Sequence, residues 1–197
     1  FYITGHPLRR FLPEVETYST ANTSNLGSRP NNSEIIIAGI VASTRPMRTK
    51  KGHRMGVVLL EDLEGVIEVL VFPDTFERTE QLLLIDAPVF VVAKLESNET
   101  NLRLLASDIL PMDRAKEKLS KRVTVKIDAP RAPEDLAERL RPIIEKKTGD
   151  TELVFELRYS GRYTAFIRPN PYLKVRPDKE FVEFLEGICG PDAVKFT

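Results

Sequence analysis

The chain has 197 residues with 29 basic and 29 acidic side chains, so a nucleic-acid partner would have to be held by a local patch and not by an overall field. Its 42% of apolar residues is ordinary for a globular protein, and the length accommodates one large domain or two small ones. A single cysteine, Cys189, excludes an intramolecular disulfide and a cysteine-rich zinc site, and no apolar run approaches the roughly 20 residues that a membrane span needs.

No signal peptide precedes the first element, and Cys189, with apolar neighbours, reads as a reduced core thiol, so a cytoplasmic protein without membrane contact is expected. The chain opens on Phe1, inside what reads as an ordered motif, and the expectation is an excerpt of a longer chain. Residues 1–18 are apolar and basic, with a turn signal at Gly5 to Pro7. Ser19 to Ser33, "STANTSNLGSRPNNS", is rich in Ser, Asn, Gly and Pro, carries almost nothing to bury and reads as a linker. Residues 1–33 are therefore assigned to a helical remnant followed by this linker.

Strand periodicity begins where Glu34 meets "IIIAGIVASTR". Ile35 to Thr44 and Arg54 to Leu60 form a hairpin with a longish loop between them, and a turn carrying Asp62 and Gly65 leads into a third strand, Val66 to Phe72. Pro73 opens a helix, with Asp74 and Glu77 in its first turn and Phe76, Leu82 and Leu83 able to face a core. Val89 to Glu96 and Leu102 to Leu110 are the fourth and fifth strands, joined by "SNETN". Five strands with one helix between the third and fourth is the order of the OB-fold, a small Greek-key barrel, and 34–112 is assigned to it. Another small β-barrel with an inserted helix is the alternative.

After the charged connector "MDRAKEKLSKR", residues 113–197 read as a small α+β, partner-binding domain. Its elements are a strand (Val123 to Ile127), a helix introduced by Pro133 with Leu136, Leu140, Ile143 and Ile144 on one face, and a hairpin of "ELVFELRY" and "RYTAFIR" around Ser160 and Gly161. Pro142 predicts a kink or early end of that helix, and Gly149 a stop. "YLKV" adds a possible strand, "PDKEFVEFLEGICG" a capped amphipathic helix, and "AVKF" a closing strand.

The candidate binding residues are Arg45, Arg48, Lys50, Lys51, His53 and Arg54, in the first hairpin. Between Ile35 and Leu60 these supply five formal positive charges and no acid, and cations on a hairpin beside a barrel face can follow a phosphate backbone. The blander explanation is a solvated hairpin tip. Against strong binding, strands two and three offer Met55, Val57, Val58, Ile67 and Val69, with only Phe72 aromatic, and the loop between strands four and five is acidic. The contact should then be weak, salt-sensitive and blind to sequence. Glu61, Asp62 and Glu64 read as a turn capped by Asp62, and His6 and His53 lack neighbours at ligand spacing. No catalytic constellation, phosphate loop or cofactor motif is found, so no catalytic residue, metal or cofactor is assigned.

Several motifs carry a resemblance. "FYITGHPL", then "AGIV", then "TKKGHRMGVVLLEDLEGVIEVLVFPDTFE" resembles the C-terminal region of the bacterial DNA polymerase III alpha subunit, through Thr49, Lys50, Gly52, Met55, Leu60, Glu61, Asp62, Gly65, Glu68, Phe72 and Pro73. It covers residues 1–112, while the remainder fits by length and element order. In one departure, the aromatic residue expected two positions after Met55 is Val57. The resemblance implies a parent DNA-directed DNA polymerase, a nucleotidyltransferase with its catalytic aspartates and main sliding-clamp peptide upstream of Phe1. It further implies an OB domain contacting single-stranded DNA and a tail docking the clamp-loader tau subunit within a replisome. An RNA-binding OB module of the aminoacyl-tRNA synthetase anticodon-binding type and a non-binding structural scaffold are the competing readings.

Overall fold

The computed structural model describes residues 6–98, 101–159, 162–170 and 172–197. The turn signal at Gly5, the middle of the "SNETN" turn and the Ser160–Gly161 hairpin turn lie wholly or partly outside them. The chain divides into two compact units, Phe1–Ala115 and Lys116–Thr197.

In the first unit, β1 (Glu34–Arg48), β2 (Arg54–Glu61), β3 (Val66–Val71), β4 (Pro88–Ser97) and β5 (Leu102–Pro111) close a barrel in the order β1-β2-β3-β5-β4. This is the five-stranded OB-fold barrel. β1 is long enough to pair with both neighbours, its first half with β4 and its second half with β2; the two pairings meet at Ile40, and a bulge between Val41 and Ser43 lies within the pairing with β2. Alternate residues point inward, so Ile35, Ile37, Val41, Val58, Leu60, Val69, Leu95 and Leu104 fill the core.

Among the described residues one α-helix precedes the barrel, α1 (Leu12–Tyr18), and one lies between β3 and β4, α2 (Pro73–Thr79), which opens on its proline as expected. Phe76 of α2 is fully buried against Gly56. A Cβ at position 56 would sit 2.6 Å from the Phe76 ring, so only glycine lets the helix plug this end of the barrel.

The stretch Ser19 to Ser33 is not a free linker. Leu26 is fully buried and, with Ala21, belongs to the barrel core. Thr20 N–H donates to the Ile36 carbonyl at 2.8 Å, Asn32 N–H to the Leu95 carbonyl at 2.8 Å, and Leu95 N–H to the Ser33 carbonyl at 3.0 Å. Two apolar side chains suffice to anchor it, because its backbone finds partners on the exposed edges of β1 and β4.

The second unit begins within α3 (Ala115–Leu119). Its sheet runs β10-β6-β7-β8, from β6 (Arg122–Asp128), β7 (Thr148–Tyr159), β8 (Tyr163–Ile167) and β10 (Val194–Phe196), with the short β9 (Lys174–Val175) paired to β7. β6 and β7 are parallel, joined through α4 (Leu136–Lys146), and α5 (Lys179–Cys189) precedes β10. Val123, Val125, Ile127 and Leu153 on one side of the sheet pack with Leu140, Ile143 and Ile144 of α4 and Phe181 and Leu185 of α5. Pro142 neither ends α4 nor shortens it; the helix continues to Lys146, and Gly149 falls within β7 rather than at a helix stop. Asp178 caps α5 by accepting from Phe181 N–H at 3.0 Å and takes a 2.8 Å ion pair from the buried Lys147. Cys189 packs beside this core, where burial pushes its thiol pKa up.

Candidate nucleic-acid interface

Strand pairing continues through the basic stretch. Arg45 faces Val57, Met47 faces Met55 and Arg48 faces Arg54, so the longish loop expected from the sequence is a short turn at the tip of an extended two-stranded ribbon. The turn closes through Thr49 N–H to the His53 carbonyl and Gly52 N–H to the Thr49 carbonyl, both 2.9 Å, with Gly52 at φ 85°. That conformation favours glycine.

All six candidate residues are exposed. They are not equivalent. Arg54 pairs with Glu80 and lies 5.6 Å over the Phe76 ring, which ties it to α2. Arg48 donates to the Gly52 carbonyl at 2.9 Å and braces the turn. Arg45, Arg48, Lys50 and Lys51 take part in no ion pair among the described residues, so their charges face solvent. His53 contributes backbone groups to the turn.

Arg45 stands apart from the tip. Because the bulge at Val41 and Ser43 shifts the alternation, Ser43, Arg45 and Met47 share the outer barrel face with Met55, Val57 and Leu59 of β2 and Glu68 and Leu70 of β3. Val58, Ile67 and Val69, grouped with that face from the sequence, are buried inside the barrel. The outer face is nonetheless apolar at its centre: Met47 and Leu59 are about two-fifths exposed, and Phe72, at the end of β3, is 45% exposed. Counting from the inward residues of β2 and β3 would have found Leu59 and Leu70. Nothing in the sequence marked the bulge that brings Arg45 beside them.

On the same face Arg103 of β5 holds Glu96 of β4 through two hydrogen bonds of 3.0 and 3.1 Å, which lower the Glu96 pKa. This mutual neutralisation removes one acid from the opposing loop. At the turn after β2, the buried Asp62 carboxylate accepts from the backbone of Glu64 (2.8 Å) and Gly65 (2.9 Å) and from Thr23, through N–H at 2.7 Å and Oγ1 at 2.6 Å. Its acceptor capacity is thus spent on structure. Among the described residues, no group of three or more His, Cys, Asp and Glu is placed to hold a metal, and no helix is long and apolar enough to cross a membrane.

The family described as "OB-fold nucleic acid binding domain" matches residues 35–112. The alpha subunit of DNA polymerase III from Escherichia coli (strain K12) is 27% identical to this chain over 197 residues, which cover 98% of the chain and 17% of that protein. The chain is similar along nearly its whole length to the bacterial DNA polymerase III alpha subunit. The subunit of the same name from Mycobacterium tuberculosis is 26% identical over 194 residues, covering 96% of this chain and 16% of that protein. The chain thus spans about a sixth of the length of these relatives. The similarity extends through the second unit, where the motifs alone had not carried it. Among solved structures, a mitochondrial single-stranded DNA binding protein from S. cerevisiae is 20% identical over 42% of this chain and 95% of its own, with a TM-score of 0.34.

Proposed function

We propose that this chain is the C-terminal portion of a replicative DNA polymerase alpha subunit, whose barrel holds single-stranded DNA and whose second unit docks the clamp-loader tau subunit. The observation that carries the first half is the β1–β2 ribbon, where Arg48, Lys50 and Lys51 have no ion-pair partner among the described residues, beside an outer face on which Arg45 borders Val57 and, beyond it, Leu70. Cations follow the phosphates while the methyl and thioether surface supports the bases without reading them. Phe72 is the aromatic available to these strands, so sequence preference should be slight.

For the second half, the supporting feature is an apolar groove of about 560 Å³ between α4 and the strands, lined by Leu136, Leu140, Ile144, Phe155, Leu157 and Ile167 among others. A groove of this composition suits an apolar face of a protein partner. The parent's nucleotidyl transfer would be carried by residues outside this chain.

The DNA assignment is tested by fluorescence anisotropy with a labelled oligothymidylate at low salt. Replacing Arg48, Lys50 and Lys51 by Ala should weaken binding at least ten-fold and reduce the salt slope by about 2, since each cation that neutralises a phosphate of a single strand adds about 0.7 to it. Unchanged affinity and slope would remove the ribbon from the site. A preference for RNA of equal length would favour the anticodon-binding type of module, and absence of binding with tau still captured would favour a scaffold.

A further inference from the structure

Among the described residues, α4 and α5 both pack on the same side of the second sheet. Its other side displays Arg122, Thr124 and Lys126 of β6, Glu152, Val154, Glu156 and Arg158 of β7, Thr164 and Phe166 of β8, and Lys195 of β10, placed by the register. With Arg168 just beyond β8, five cations share this side with Glu152 and Glu156; Asp128, at its edge, lies 3.5 Å from Arg131.

The carboxylates are already engaged. Glu152 takes Arg122 at 2.7 Å and Arg168 at 2.9 Å, and Glu156 takes Arg158 at 2.6 Å. Lys126 and Lys195 enter no ion pair among the described residues, and they sit side by side. Partial burial, then Lys195 next to it and Arg158 across the strand, hold the Lys126 pKa below the ordinary lysine range, with Glu156 opposing. Two ammonium groups crowded together, with Glu156 as a nearby carboxylate already shared with Arg158, repel each other in the free protein, and an anion bound between them would relieve that repulsion.

Phe166 supplies a second and independent observation. It faces Glu156 across the strands, in register with Lys126, and two-thirds of its surface is exposed. A depression of about 600 Å³ is lined by Arg122, Thr124, Val154, Phe166 and Arg168. An aromatic ring that gains little from the core, flanked by guanidinium groups on a sheet surface, presents a platform for a flat π-system together with charge for the phosphates. The acidic side chains of a polypeptide would match the cations alone, whereas a nucleic acid uses the cations and the ring together.

We propose that the helix-free face of the second sheet is a binding site for single-stranded nucleic acid, separate from the barrel, in which Lys126 and Lys195 hold phosphates and Phe166 stacks on a base. The site stands on residues that the ribbon does not share, so either can fail without the other.

The test uses the full 197-residue chain with Arg48, Lys50 and Lys51 replaced by Ala, so that the ribbon contributes little, and anisotropy of a fluorescein-labelled oligothymidylate across a salt series. Phe166→Ala should weaken the remaining binding about 5- to 100-fold with the salt slope unchanged, whereas Phe166→Trp should retain it. Lys126→Gln with Lys195→Gln should weaken binding and lower the salt slope by about 1.4, and Lys195→Gln alone, at an exposed position, should give about half of that. Circular dichroism reports whether each variant is folded. Loss of affinity in Phe166→Ala with a lowered slope in the lysine variants supports the site. Affinity and slope that do not respond to any of these changes overturn it. So does polyglutamate competing at equal charge with no effect of Phe166→Ala, which would make the face an acidic-polypeptide surface.

Discussion

Two stretches of this chain look alike in composition and behave in opposite ways. Residues 19–33 and 43–55 are both polar and rich in turn-forming residues. The first is bound down along the barrel by the fully buried Leu26, by Ala21 and by the Thr23–Asp62 hydrogen bonds; the second extends from the barrel as a ribbon whose side chains at the tip face solvent. The difference teaches that polarity alone does not make a stretch free. One large apolar side chain and one buried carboxylate, at positions that reach the core and a strand edge, decide whether a polar segment is ordered by packing.

The sharpest way to break the contrast is Leu26→Ala. Removing a fully buried leucine side chain should cost about 3 kcal/mol, and thermal unfolding should show a matching fall in Tm with residues 19–33 becoming open to limited proteolysis. If stability hardly changes, the anchor lies elsewhere and the segment is closer to a linker than its contacts indicate. Asp62→Ala should cost about 2 kcal/mol, since the amides of Thr23, Glu64 and Gly65 lose a charged acceptor where water reaches them poorly. Amide hydrogen exchange should then accelerate at Thr23 and Gly65 before it does in the barrel strands. The smallest effect on stability belongs to the ribbon. Replacing Lys50 and Lys51 by Ala should move stability by less than about 0.5 kcal/mol, because neither side chain has an ion-pair partner among the described residues, while oligonucleotide binding at low salt falls. A large loss of stability from that pair would mean the tip is structural.

Much of the barrel was legible in the sequence because inward and outward residues alternate cleanly along β2 and β3, because β4 and β5 are apolar runs bounded by polar turns, and because Pro73 marks the start of the inserted helix. The Asp62 turn was legible for a similar local reason: aspartate followed by glycine three residues later reports its own hydrogen bonds. The ribbon was only half legible. Its charges were visible, but "STRPMRTKKGHRM" contains Pro46 and Gly52, which suggest a loop, and strand pairing overrode that local preference by joining Arg45 through Arg48 to Arg54 through Val57. In the second unit, Pro142 pointed to a break that α4 does not show. The helix is held from outside by Leu140, Ile143 and Ile144 against the sheet, and that packing outweighs one missing backbone donor.

The open face of the second sheet was illegible for a different reason. Lys126, Lys195 and Phe166 are far apart in the chain and belong to three strands, one of which returns from beyond α5, so no spacing rule relates them. Their proximity follows from the parallel pairing of β6 with β7 and the return of β10 to β6.

By itself, then, the sequence determined what depends on neighbours along the chain: strand periodicity, the helix start, the Asp62 turn and the concentration of cations between Arg45 and Arg54. Tertiary structure alone decided what depends on neighbours across it. Burial of Leu26 ordered a polar segment, a bulge after Val41 turned Arg45 onto the outer face, Glu80 took Arg54 out of the free charge, and sheet pairing gathered the lysines of the second unit. Local signals report dihedral preference and alternation, whereas register and pairing are set by how each strand buries its inward side chains against the others.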